Sequence, residues 1–253
     1  MKFQMRIGAG LTGLLAMGLW AVPAGATVAR TWLAQNGSDS GSCTFAAPCA
    51  TIAYAAGQTV AGGEVILLDG GNYAGGTVSK SLAIRGAGIK PTVNSITVAA
   101  AAGDRVMFDN IAFSAKQGDG STAFASGLVL WSGSDVLVSH CLFEAYSTAI
   151  DAQGPSIIRL TITDTLVYGS SNYGIRSLGI NGGQLKIKMF DTKLAANTQA
   201  GVYLDAAGSD LLVAGSTILG STSAVRLLSG ATGRSYGNNV ITNGDALTAV
   251  AMN

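Results

Sequence analysis

Residues 136–152 (VLVSHCLFEAYSTAIDA) and 159–177 (RLTITDTLVYGSSNYGIRS) share one pattern, and this pattern decides the fold. Each stretch begins with apolar residues at alternate positions, continues with a polar residue before further apolar ones, and ends with a small residue followed by renewed alternation. Such alternation is typical of β-strands, and the Gly, Ser, Asn and Asp clusters between the segments predict turns. The pattern therefore predicts a repeat built from short strands.

Two positions of this pattern recur along the chain at a common spacing. They are the polar residue before the second apolar run, here called the polar mark, and the small residue before the renewed alternation, here called the small-residue mark. The polar mark advances by 30, 24, 27, 25 and 22 residues through Asn110, His140, Asp164, Asp191, Ser216 and Asn238. The small-residue mark advances by 22, 25, 27, 23 and 22 residues through Gly127, Ala149, Gly174, Gly201, Ala224 and Ala246. Two marks that move together in this way indicate a solenoid. The prediction is an all-β fold, a single-stranded right-handed parallel β-helix with an N-terminal amphipathic cap.

The polar mark is expected to be structural. Equivalent residues in successive turns of such a solenoid lie about 4.8 Å apart, so Asn, Asp and Ser side chains there are expected to hydrogen-bond between turns. His140 is the one histidine of the sequence, and its place in the series argues against a metal ligand or a catalytic base. We predict a structural ladder formed by Asn110, His140, Asp164, Asp191, Ser216 and Asn238.

Composition excludes several classes of protein. Hydrophobic residues make up 48% of the chain and charged residues only 11%, which excludes an intrinsically disordered chain. Glu occurs only at positions 64 and 144, which excludes a coiled coil. The formal net charge of +1 argues against a nucleic-acid partner, because such a protein carries a basic patch or stripe.

The chain is expected to divide into three segments. Residues 1–26 are predicted to be a signal peptide, with Lys2 and Arg6 before an apolar run and Ala24-Gly25-Ala26 as the cleavage site. Residues 27–63 are the predicted cap, and residues 64–253 the predicted β-helix. No later stretch of 18 apolar residues exists, so no transmembrane helix is expected. The predicted location is secreted, periplasmic or on the cell surface.

Export makes the cysteines interpretable. Cys43 and Cys49 lie six apart in GSCTFAAPC, a spacing that suits a small loop disulfide in an oxidising compartment. Metal binding is the competing interpretation, but the sequence offers no histidine near them. Cys141 lies between apolar residues in SHCLFE and is predicted to be a buried thiol of the core.

The N-terminal half carries a family resemblance. The segments GSDSGSCTFAAPCATIAYA (37–55), GGEVILLDGGNY (62–73) and SLAIRG (81–86), together with the repeat, resemble the pectin-lyase-like right-handed parallel β-helix superfamily over nearly all of the mature chain. The resemblance implies that residues 48–58 cap the first turn and that residues 64–69 and 81–85 are early strands. This superfamily contains lyases, hydrolases, esterases, phage tailspikes and adhesins, so the resemblance implies a fold and leaves the activity open.

In β-helices of this kind a groove usually lies over the outer face of one sheet, and the small-residue mark is our candidate for that sheet. In each repeat, alternation predicts that the apolar residue directly after the small residue points inward and that the next residue points outward. One outward column is Val129, Asp151, Arg176, Tyr203, Arg226 and Thr248, and a second is Trp131, Gln153, Leu178, Asp205, Leu228 and Val250. Aromatic rings offer flat faces to sugars and arginines a planar fork of donors. The substrate-binding candidates are Trp131, Asp151, Gln153, Arg176, Tyr203, Asp205 and Arg226.

The leading functional hypothesis is an exported, non-catalytic protein that recognises an extended glycan or cell-surface polymer on this face. No catalytic residue is assigned, because the aspartate pairs and basic motifs of the superfamily's pectin-cleaving enzymes are missing. One alternative is a lyase-like enzyme acting on an acidic polysaccharide through Arg176, Arg226 and Asp151, and only this alternative would involve calcium. Another is a structural or adhesive envelope protein, or an ordinary solvated face. No other cofactor or metal is expected.

The C-terminal end DALTAVAMN (245–253) is strand-like and has no evident cap. Uncovered strand edges favour association. We therefore expect self-association through this last turn as a further partner interaction.

Overall fold

The computed structural model describes residues 28–116, 124–220 and 222–250, without the side chain of Asn181. The predicted signal peptide at residues 1–26 lies outside the described residues. Within the described ranges no helix is long and apolar enough to span a membrane.

The described chain consists mainly of short strands. In chain order the first are β1 (Val28–Leu33), β2 (Thr59–Leu67), β3 (Asn72–Tyr73), β4 (Gly76–Val78), β5 (Leu82–Gly86), β6 (Thr92–Val93), β7 (Ile96–Val98), β8 (Arg105–Asp109), β9 (Ala112–Ser114), β10 (Ser126–Leu130), β11 (Asp135–Ser139) and β12 (Leu142–Glu144). They are followed by β13 (Thr148–Ala152), β14 (Ile157–Thr163), β15 (Leu166–Tyr168), β16 (Tyr173–Ser177), β17 (Gln184–Phe190), β18 (Lys193–Asn197), β19 (Ala200–Asp205), β20 (Asp210–Ala214), β21 (Thr217–Gly220), β22 (Ser223–Leu228), β23 (Thr232–Ser235), β24 (Val240–Ile241) and β25 (Thr248–Ala249). The helical segments are α1 (Ile52–Gln58) and a 3-10 helix at Ile180–Gly182.

Three sheets run along the molecule. Sheet 1 has the order β1-β2-β5-β8-β11-β14-β17-β20-β23-β25, sheet 2 the order β3-β6-β9-β12-β15-β18-β21-β24, and sheet 3 the order β4-β7-β10-β13-β16-β19-β22. Neighbouring strands are parallel, and the chain visits sheets 1, 2 and 3 in turn. The predicted all-β parallel solenoid is confirmed, with about 7 turns.

The core is built from the inward residues of each turn. Val136, Leu160 and Ile187 occupy equivalent positions in sheet 1 and are almost fully buried. In sheet 2 the rings of Phe113 and Phe143 stack with centroids 4.5 Å apart and planes 3° apart. Because each strand alternates, one face of every sheet fills this core and the other faces outward.

The N-terminal end is covered as expected. Helix α1 begins after Thr51, whose side chain accepts a hydrogen bond from the Tyr54 amide, and it buries Ile52, Ala55 and Ala56. Strand β1 lies before helix α1 in the chain and pairs with β2, so strand pairing begins before residue 64. The predicted Cys43–Cys49 disulfide is present, and Cys141 is a buried free thiol.

The turn between sheets 1 and 2 contains a residue in the left-handed conformation. Asn110, His140, Asp164 and Asp191 have φ values of 55°, 51°, 45° and 48°, and the equivalent residue of the next turn is Gly215, with φ 58°. The ladder prediction is therefore wrong by one position at Ser216. The sequence prediction looked for a polar residue at this position and therefore chose Ser216. Glycine, however, adopts the left-handed conformation most readily. Asn238 contributes from one turn further on, because its side chain accepts a hydrogen bond from the Gly215 amide.

A buried hydroxyl ladder follows directly after these left-handed residues. Thr165 Oγ1 accepts a hydrogen bond from the Cys141 amide at 3.3 Å, and Ser216 Oγ accepts one from the Thr192 amide at 3.2 Å. These hydroxyls are almost fully buried. They connect successive turns where the backbone changes sheets, so Ser216 belongs to this inner ladder.

The last repeat departs from the prediction. Thr248 and Ala249 form β25, which pairs with β23 of sheet 1, so Thr248 and Val250 do not extend the outward columns of sheet 3. Instead Gly244 bridges Val225, and the Asp245 amide donates to Val225 O at 2.9 Å. The last turn is therefore shortened and returns to sheet 1 early. A small residue followed by alternating apolar residues fits a strand of sheet 1 as well as one of sheet 3, so the sequence pattern did not distinguish the two. Residues 251–253 lie outside the described part of the chain.

Candidate binding surface on sheet 3

The outer face of sheet 3 presents one column of side chains in register. Its members pair strand by strand in the order Thr97, Val129, Asp151, Arg176, Tyr203 and Arg226. The five residues that alternation predicts for β10 to β22 are therefore neighbours along the solenoid axis. Neighbouring strands lie about 4.8 Å apart, so the column forms a continuous strip.

Asp151 and Arg176 neutralise each other at the centre of this strip. Arg176 Nε donates to Asp151 Oδ1 at 2.9 Å, its Nη2 donates to Oδ2, and Gln153 Nε2 also donates to Oδ2, at 2.7 Å. The Asp151 side chain is only 1% exposed. The hydrogen bonds from Arg176 to Asp151 raise the pKa of this guanidinium above its ordinary value. Both carboxylate oxygens therefore accept hydrogen bonds, and Asp151 fixes the orientation of Arg176 and Gln153.

Aromatic rings surround the ion pair. Tyr173 and Tyr203 lie with ring centroids 4.8 Å apart and planes 49° apart, and the Arg176 guanidinium lies 5.6 Å from the Tyr173 centroid. Trp131 is 51% exposed and Leu178 is 40% exposed. The face therefore offers an apolar, aromatic surface around a neutralised pair.

The far end of the column is more polar. Tyr203 Oη donates to Asp205 Oδ2 at 3.4 Å, and Ser229 Oγ donates to the other oxygen of that carboxylate. Burial, followed by the negative charge of Asp205, raises the pKa of Tyr203. The Arg226 side chain is exposed, and no described residue forms a hydrogen bond or ion pair with it. Arg226 thus contributes a cation at this end.

Tyr173 is a surface residue that the sequence argument missed. It precedes Gly174 and pairs with Thr148 and Ala200, both buried, whereas Tyr173 itself is half-buried. The two outward columns were counted from the inward apolar residue, which leaves out the position before the glycine. A tyrosine directly before a strand glycine was the available signal.

His140 lies away from this face, at the turn after β11. Its Nδ1 is 2.9 Å from Asp109 Oδ1, and its Nε2 is 3.8 Å from Asp164 Oδ2. Ser139 Oγ donates to the same Asp109 oxygen at 2.9 Å. Burial acts to raise the pKa of Asp109, and hydrogen bonds from His140 and Ser139 outweigh it and hold this pKa below its usual value. Serine and imidazole both bind the carboxylate, which does not give the order that a nucleophile-base-acid triad requires.

The described residues contain no group of three or more His, Cys, Asp or Glu side chains placed to hold a metal ion. The chain matches no protein-family model, and no curated protein or solved structure is detectably similar to it.

Proposed function

We propose that this protein is an exported β-helix of the pectin-lyase-like kind that binds an extended glycan along the outer face of sheet 3 without cleaving it. The observation that carries the proposal is the Asp151–Arg176 pair within an aromatic strip. A saturated carboxylate is suited to orient neighbouring donors and rings and not to transfer protons. An extended polymer matches a strip that continues over several turns.

Export is part of the same proposal. The disulfide in the cap fits an oxidising compartment, and the first residues have the charge and hydropathy pattern of a signal peptide. A protein outside the cytoplasm meets polysaccharides of the envelope or of the surroundings.

The test compares a double aromatic variant of the strip with a single aromatic control on another sheet. Trp131→Ala combined with Tyr203→Ala removes rings from the strip, and Tyr168→Ala removes a ring that is 53% exposed on sheet 2. We expect affinity electrophoresis against a panel of neutral and acidic polysaccharides to show retardation of the wild type. The double variant should bind at least about tenfold more weakly, which corresponds to about 1.4 kcal/mol, whereas Tyr168→Ala should bind like the wild type.

Three outcomes would contradict the proposal. No retardation by any glycan favours an envelope protein without a sugar ligand. Equal loss in the Tyr168→Ala control places binding elsewhere. Accumulation of unsaturated, ultraviolet-absorbing products favours a lyase. Arg176→Ala is a poor probe, because it leaves the Asp151 carboxylate buried without its partner and destabilises the fold.

A further inference from the structure

A groove runs over the outer face of sheet 1, on a different side of the solenoid from the strip. Its volume is about 530 Å³. It crosses six consecutive strands, β8, β11, β14, β17, β20 and β23, and the outward side chains of Leu137, Thr161 and Leu212 lie in it. It is thus an elongated depression along the solenoid axis.

Cations dominate the lining of this groove. They are Arg105, Arg159, Lys186, Lys188 and Arg234, against two carboxylates, Asp135 and Asp210. Five of the chain's 15 Lys and Arg residues therefore lie in one depression, in a protein whose formal net charge is +1. The excess of three positive charges is local and is hidden in the overall composition.

The carboxylates neutralise only part of this charge. Asp135 lies 3.6 Å from Arg159, and Asp210 lies 2.6 Å from Arg234. Burial acts to raise the pKa of Asp210, and hydrogen bonds from Arg234 and Thr232 outweigh it and hold this pKa below its usual value. Among the described residues, none forms an ion pair or a hydrogen bond with the guanidinium of Arg105 or the ammonium of Lys188.

Like charges are also placed side by side. Arg159 pairs in register with Lys186, and Lys188 lies two residues further along the same strand, on the same face. Like charges directly opposite one another on a sheet are destabilising. A folded protein that keeps such a cluster in a groove gains from an anionic ligand that relieves the repulsion.

We propose that this groove binds a linear polysaccharide carrying carboxylate or sulfate groups. The cations lie on four of the six strands, β8, β14, β17 and β23, so they are distributed along the axis, which suits a polymer that carries several anions. Single-stranded nucleic acids are bound through aromatic side chains on which the bases stack, and no aromatic residue is among those lining the groove. This site is separate from the strip on sheet 3 and does not depend on it.

The test uses two charge-matched double variants of the full mature chain. Lys186→Gln with Lys188→Gln removes two groove cations, one half-buried and one exposed. Lys90→Gln with Lys193→Gln removes two cations outside the groove, again one half-buried and one exposed. The probes are polygalacturonate for carboxylates, dextran sulfate for sulfates, neutral dextran, and a single-stranded oligonucleotide. Binding is measured by titration calorimetry at low salt and at about 0.15 M salt.

We expect one or both acidic glycans to bind the wild type and to bind more weakly as salt rises. The groove variant should lose at least tenfold in affinity for the acidic glycan and the control variant less than twofold. The salt-dependent part of this binding should remain in Trp131→Ala with Tyr203→Ala, because the strip on sheet 3 binds mainly through aromatic rings. Thermal melts check the fold of the groove variant, because Lys186 also donates a hydrogen bond to Gly208 O and lies in register with Asp210. If the groove variant melts at a lower temperature than the wild type, Arg105→Gln is used in its place. Its loss of affinity should again be at least tenfold, against less than twofold in the control variant.

The proposal is overturned if neither acidic glycan binds, or if the control variant loses as much affinity as the groove variant. It is also overturned if the groove variant loses as much affinity for neutral dextran as for the acidic glycans, or if the oligonucleotide binds more tightly than both acidic glycans. Loss of acidic-glycan binding in the Trp131 and Tyr203 variant alone would assign that binding to sheet 3.

Discussion

Single side chains stabilise the turns between strands. Asp69 follows β2 and accepts hydrogen bonds from Tyr73 Oη at 2.6 Å, from the Gln35 amide at 2.9 Å and from the Gly71 amide at 3.0 Å. Burial acts to raise the pKa of Asp69, and these three donors outweigh it and lower this pKa. The ionised carboxylate thus joins the first two turns of the solenoid.

Asp69→Asn should destabilise the protein by about 1–2 kcal/mol at neutral pH, because the hydrogen bonds lose their ionic component. The lowered pKa means that the wild-type advantage is complete above the ordinary carboxyl pKa of about 4 and is lost as the pH falls through the folded value. Chemical denaturation at several pH values measures the difference, which should shrink below about pH 4. A difference independent of pH would show that the charge plays no part.

The left-handed backbone conformation of the turn residues allows a second prediction about single side chains. Asp164 has φ 45°, a conformation that costs a residue with a side chain about 1–2 kcal/mol and glycine almost nothing. We expect Asp164→Gly to be neutral or stabilising and Asp164→Val to lose about 1–2 kcal/mol, measured by thermal melts. Thr217→Val, in a strand, is the control and should change little. Equal effects of valine at both positions would refute the role of the backbone conformation.

Among the elements, the N-terminal cap depends most on a covalent bond. The disulfide closes a loop of sequence separation 6, and this loop bonds β1 through Trp32 N to Cys43 O and Cys49 N to Trp32 O, both at 2.9 Å. The disulfide therefore holds the first strand of sheet 1 against the cap.

Cys43→Ala with Cys49→Ala should destabilise the protein by about 2 kcal/mol. The effect is modest because a disulfide that closes a short loop removes little conformational entropy from the unfolded chain. Hydrogen exchange should increase first at the backbone amides of Trp32 and of residue 49 and remain slow in β17. Reduction of the wild type should reproduce the result. Uniform acceleration throughout the chain would show that the disulfide acts on the whole fold instead of on the cap.

At the scale of the whole molecule, stability arises from stacking of turns that contact only their neighbours. The Phe113–Phe143 stack connects adjacent turns in the middle of the solenoid. The edge contact of Phe108 with Phe113, with centroids 5.7 Å apart, connects sheets 1 and 2 within one turn. Toward the C-terminal end, Asn243 O accepts a hydrogen bond from the Ala224 amide at 2.7 Å, so the last turn covers part of the edge of β22. Self-association through the remainder stays a prediction.

Phe143→Ala should destabilise the protein by about 3–5 kcal/mol, because it removes a fully buried ring and leaves a cavity between turns. Tyr168→Ala, an exposed ring one turn away, should stay within about 0.5 kcal/mol of the wild type. Calorimetry distinguishes the two. A loss below about 1 kcal/mol in Phe143→Ala would mean that the neighbouring turns close the gap.

The sequence by itself determined the solenoid, the inward residues of its strands and the disulfide, because alternation and loop spacing are local properties of the chain. Only the tertiary structure decided that Arg176 saturates Asp151, that Gly215 takes the turn position before Ser216, and that the last repeat joins sheet 1. The groove on sheet 1 was missed for the same reason. Its cations lie on four strands that belong to different turns, so their proximity depends on the register between turns and on loop lengths, which the local pattern does not encode.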